Sequence, residues 1–77
     1  MEDFDDELYQ ARMLLAANVQ RLRQERNFSQ EGLAAHAGIH RTFVSHMERG
    51  ARNLTLDNLT RISLALEVPM YELFMPL

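Results

Sequence analysis

Cysteine is absent from this chain, which removes both a disulfide framework and any thiolate metal site. Lysine is absent too, so all eight basic side chains are arginines. Where an arginine meets phosphate or guanine, its planar fork favours bidentate recognition, although a coding bias toward Arg accounts for the count equally well. No apolar run approaches the roughly 18–20 residues that a membrane span requires. The start of the chain is acidic, the opposite of a signal peptide's basic start, so a cytoplasmic protein is expected. Repeats, low-complexity stretches and domain linkers are also missing. With 77 residues and 47% hydrophobic content, the chain is expected to fold as one small domain spanning 1–77. At that size a single core stabilises only modestly, and association between copies would help.

The net charge of −3 argues by itself against a polyanionic partner, yet its distribution reverses the inference. Glu2, Asp3, Asp5, Asp6 and Glu7 hold five of the eleven acids, leaving six acids against eight arginines in the rest of the chain. Between His36 and Asn53 the acid is Glu48, set against Arg41, Arg49, Arg52 and three histidines. A local basic surface can bind phosphates while a distant acidic segment lowers the total.

Hydrophobic periodicity predicts an all-α chain of five helices. Phe4, Leu8, Ala11, Leu15, Val19 and Leu22 form the apolar stripe of a long first helix, with acids near its start and arginines near its end. Asn27 suits a left-handed stop, and Phe28 is expected to fold back onto the core. Ser29 caps a second helix whose buried side is Leu33, Ala34 and Ala37, and Gly38 ends it. A third helix runs from about His40 or Arg41 to Arg49 and stops at Gly50. Thr55 caps a fourth with the stripe Leu56, Leu59, Ile62 and Leu66. Pro69 opens a short fifth helix, with Met70, Leu73 and Phe74 facing inward and Pro76 closing it.

The third helix carries the chemistry. Val44, Met47 and the near-aligned Glu48 fall on one side of its projection. Thr42, Ser45, His46 and Arg49 fall on the other, with Arg41 at the start. That polar face holds hydrogen-bonding groups without a carboxylate, which suits the base edges of a DNA major groove. Other chemistry has little support. His36 and His40 are separated by Gly38, and no carboxylate completes a ligand set, so no metal or other cofactor is expected. Neither a Ser/His/Asp set, a phosphate-binding glycine loop nor paired carboxylates are visible, which argues against an enzyme.

Ser29-Gln30-Glu31, Leu33-Ala34, Ala37-Gly38-Ile39, Arg41-Thr42-Phe43-Val44-Ser45, Glu48-Arg49-Gly50 and Arg52-Asn53-Leu54-Thr55 together resemble the Cro/repressor-type (XRE-family) helix-turn-helix. Within it, the controller proteins of restriction–modification systems are the nearest in pattern. The resemblance spans about 15–74 and implies a compact, lambda-repressor-like five-helix DNA-binding domain, with the helix-turn-helix at about 29–50. In this motif the second helix enters the groove by its N-terminal residues. Base contacts are then expected from Arg41, Thr42, Ser45 and His46. Gln30, Phe43, Arg49, Arg52 and Asn53 are expected along the sugar-phosphate chain, with packing against its own domain as the alternative for Phe43. Arg23 and Glu48 resemble a structural ion pair of the family. Two departures stand out: Gly32 replaces the Glu or Gln of a capping box, and Phe43 stands where controllers often carry Tyr.

The resemblance further implies a homodimer joined through about 68–77, with Met70, Tyr71, Met75 and Leu77 at the symmetric contact. The implied partner is double-stranded DNA bearing a palindromic operator, with RNA polymerase a further candidate and the nucleoid the place of action. A membrane and a small-molecule ligand are not expected. An antitoxin or phage Cro-like repressor working through a protein partner, with the acidic N-terminus as its binding segment, is the alternative.

Overall fold

A computed structural model describes residues 3–50 and 54–77. The described residues form four α-helices and a terminal 3-10 turn, with no strand. They are α1 (Asp5–Glu25), α2 (Gln30–Ala37), α3 (Arg41–Glu48), α4 (Leu56–Leu66) and the turn Met70–Phe74. The expected fifth helix is therefore a 3-10 turn. Five residues between Pro69 and Met75 leave little room for i→i+4 bonds, and Glu72 instead donates its N–H to Pro69 at 3.0 Å.

Helix boundaries follow from side chains that supply the missing backbone partners. Ser29 Oγ accepts from the Gly32 N–H at 2.9 Å, and Thr55 Oγ1 accepts from the Asn58 N–H at 3.1 Å. Gly32 thus removes only the reciprocal half of the capping box. Three helices end in the same device, a left-handed residue followed by a return to the last turn. At the end of α2, Gly38 has φ +69°, and the Ile39 N–H reaches the Ala34 carbonyl at 3.0 Å. Asn27 (φ +59°) and Glu67 (φ +57°) close α1 and α4 in the same way.

Leu15, Val19, Leu22, Leu33, Ala34, Ala37, Val44, Met47, Ile62, Leu66 and Leu73 form one core to which all five elements contribute. Phe28 packs against it from the α1–α2 turn. Two buried polar groups are satisfied internally. Asn18 Nδ2 donates to the Leu14 carbonyl at 3.1 Å and to the Met75 carbonyl at 2.8 Å, tying the C-terminal segment across α1. Ser63 Oγ donates to the Thr60 carbonyl at 2.8 Å.

Three parts of the expected apolar stripes lie outside this core. Phe4 and Leu8 are more than half exposed, and Ala11 is exposed. A helix of 21 residues is about 32 Å long, and the core engages it only from Leu15 onward. Leu56 is exposed in the first turn of α4, where the core cluster begins at Leu59. Phe74 is exposed as well, because a 3-10 turn aligns i with i+3 and so sends Met70 and Leu73 inward together.

Candidate nucleic-acid interface

The interface is built on α2 and α3, two eight-residue helices joined through Gly38, Ile39 and His40. Ala34, buried to 2% exposure, lets the two helices approach closely. Gly38 reverses the chain where a Cβ would require strained left-handed backbone. Arg61 of α4 adds a donor to the Ala37 carbonyl at 3.4 Å, satisfying part of the α2 C-terminus.

Helix α3 is divided cleanly along its length. Val44 and Met47 are fully buried, which anchors one face to the core. Arg41, Thr42, His46 and Arg49 are exposed on the other, and Ser45 is half-buried between them. Phe43 is 39% exposed, an aromatic side chain beside the polar face rather than inside the core. His40 caps the helix: its Nδ1 accepts from the Thr42 N–H at 3.1 Å and lies 2.8 Å from Thr42 Oγ1. The imidazole thus orders the first turn, where Arg41 and Thr42 stand.

Beneath this surface, Arg23 of α1 holds Glu48 of α3 through two parallel donors on one edge of its guanidinium. Nε lies 2.6 Å from Oε2, and Nη2 lies 3.0 Å from Oε1. Their side chains are only 12% and 5% exposed, so each charge depends on the other for neutralisation. The third guanidinium nitrogen donates to the Phe28 carbonyl at 2.8 Å, which fixes the α1–α2 turn to the same pair. Gln30 joins by donating Nε2 to Glu48 Oε1 at 3.2 Å. An amide nitrogen carries two hydrogens, so this bond leaves one donor for another partner.

Gln30, at the start of α2, is thus joined to the end of α3 through Glu48, while Arg41, Thr42 and His46 lie exposed along α3 with Ser45 half-buried among them. Arg52 and Asn53 lie outside the described residues. The histidines have local uses. His36 bonds the Gly32 carbonyl through Nδ1 at 2.9 Å and packs against Phe28 in a tilted pair, with ring centroids 4.6 Å apart and planes at 42°. Among the described residues no group of three His, Asp or Glu side chains converges as a metal site would require. No helix among them is long and apolar enough to cross a membrane.

Two contributions escaped the sequence reading. His40 as a cap is hidden because imidazole is not a usual N-cap group. Glu31 forms an ion pair with Arg41, its Oε1 accepting from Nη1. Ten positions and a turn separate the two, a spacing that no helical periodicity flags.

Comparison with known proteins agrees with this geometry. Residues 19–73 match the family model HTH_3, described as helix-turn-helix. The control protein C.BamHI of Bacillus amyloliquefaciens is 47% identical over 58 residues, covering 74% of this chain and 72% of that one. The control protein C.SmaI of Serratia marcescens is 38% identical over 73 residues, covering 95% and 87%. The crystal structure of the restriction–modification controller protein C.AhdI from Aeromonas hydrophila superposes with a TM-score of 0.81 at 35% identity, covering 86% of this chain and all of that one. Proteins of this kind are DNA-binding regulators, not enzymes. The chain belongs to the HTH_3 helix-turn-helix family and is a transcription regulator of the restriction–modification controller type.

Proposed function

We propose that two copies of this chain, related by a two-fold axis, bind a palindromic operator near the promoter of their own gene and control a restriction–modification operon. The observation that carries this reading is the division of α3, with Val44 and Met47 locked in the core while Arg41, Thr42 and His46 stand exposed behind an ordered first turn. Arg41 enters the major groove first and bonds guanine O6 and N7. Thr42, Ser45 and His46 extend the readout. Gln30, Arg49, Arg52 and Asn53 hold phosphates and fix register, with Phe43 against the sugars.

The dimer uses Tyr71, Met75 and Leu77; Met70, expected at the same contact, packs inward against the core instead. Tyr71, Met75 and Leu77 are 65%, 42% and 84% exposed, an apolar edge that supports an interface role. A two-fold dimer reads half-sites about 34 Å apart. Protein concentration and operator spacing set the response: activation through RNA polymerase at low occupancy and repression at high occupancy. Selection of bound duplexes from a random pool, followed by footprinting upstream of the gene, tests the reading. Enrichment of an inverted repeat protected in that upstream region is expected. An asymmetric or unenriched pool would overturn it.

A further inference from the structure

Residues 26–50 contain two carboxylates, Glu31 and Glu48. Glu48 is buried and neutralised by Arg23. Glu31 is 66% exposed in the first turn of α2, and its partner Arg41, 65% exposed, is the residue placed to enter the groove first. An ion pair this exposed adds little to folding. Its cost falls elsewhere, because a carboxylate beside the DNA-facing end of α3 repels phosphates.

We propose that Glu31 is a positioning residue that directs Arg41 to a guanine edge and away from the phosphate chain. The inference rests on the reading that Arg41 enters the major groove. Glu31 holds the guanidinium through Nη1, leaving Nε and Nη2 as a free edge with two parallel donors. Guanine O6 and N7 form a neutral acceptor pair that matches such an edge. A phosphate bound there would bring a full negative charge beside the Glu31 carboxylate, so the same contact is disfavoured. Without Glu31, Arg41 swings freely and its charge finds the nearest phosphate on any sequence. Glu31 thus raises specificity while lowering total affinity, and its proximity to Arg41 couples α2 to the readout made by α3.

The substitution Glu31→Gln tests this, since it keeps shape and an acceptor oxygen but removes the charge. Binding is measured over a range of salt to duplexes that the wild-type protein selects from a random pool, and to a scrambled duplex of equal length and composition. The ratio of selected to scrambled affinity is expected to fall about 2–5-fold, the scale of an exposed charge coupling. The salt dependence on scrambled DNA should steepen by about one phosphate contact. Base preference should relax at one position per half-site, the same position relaxed by Arg41→Ala, with no further change in the double variant. An unchanged or increased ratio overturns the proposal, as does relaxation at a different position, which would make Glu31 itself the reading residue. If Arg41→Ala leaves every base preference intact, the groove reading of Arg41 falls and this inference falls with it. If Arg41→Ala relaxes one position and Glu31→Gln relaxes none, only the positioning role fails.

Discussion

At the scale of single residues, the backbone at Gly38 does work that no other side chain does as cheaply. Its φ of +69° closes α2 and aims the chain into α3, and an added Cβ would meet Arg61 Nη1 at 3.1 Å. Gly38→Ala therefore combines left-handed strain of about 1–2 kcal/mol with a contact that must give way. A lower urea midpoint with an unchanged slope is expected, since the change acts on stability and not on the surface exposed. Asn27 and Glu67 occupy the same backbone region at the other helix ends. Asn tolerates it through its short polar side chain, and its role was readable in the sequence. Glu has no such excuse, so the left-handed stop at Glu67 comes from the packing of Val68 against the core and the bond from its N–H to the Ser63 carbonyl.

At the scale of elements, the orientation of α3 depends on one buried charge network. Arg23, Glu48, Gln30 and the Phe28 carbonyl join α1, α2, α3 and the turn between the first two helices. Burial makes this network sensitive to partial removal. Arg23→Ala leaves the Glu48 carboxylate nearly enclosed with only an amide donor, a loss of about 3–5 kcal/mol. For a domain whose total stability is of order 5–15 kcal/mol, thermal unfolding should drop sharply. Arg23→Lys keeps the charge but loses the bidentate fork, so an intermediate melting temperature is expected, with weaker DNA binding from a looser α3.

At the scale of the whole molecule, the separation of charge allows a net-acidic chain to approach DNA. Glu7 and Arg23 are sixteen positions apart on α1, about 24 Å along the helix and roughly three Debye lengths at physiological salt. The acids of the first turn are therefore largely screened from the network that carries α3. Arg49, exposed just beyond α3, should contribute one phosphate contact, so Arg49→Ala is expected to weaken all sequences alike and to reduce the salt slope by about one unit in filter-binding titrations. The dimer makes a separate claim at this scale. Tyr71→Glu introduces a charge on the apolar edge, and sedimentation should show monomers. A persistent dimer would move the interface elsewhere.

The sequence by itself determined the helix order, the caps at Ser29 and Thr55, the stops at Asn27 and Gly38, and which face of α3 goes inward. Each of these depends on residue type and on spacing within a few positions, where helix geometry leaves few choices. Only the tertiary structure decided how far the core reaches along α1, why Leu56 and Phe74 stay outside it, and that the last element is a 3-10 turn. It also decided that His40 caps α3 and that Glu31 meets Arg41. These outcomes depend on where neighbouring elements end and on contacts across a turn, and no period of the chain encodes such distances.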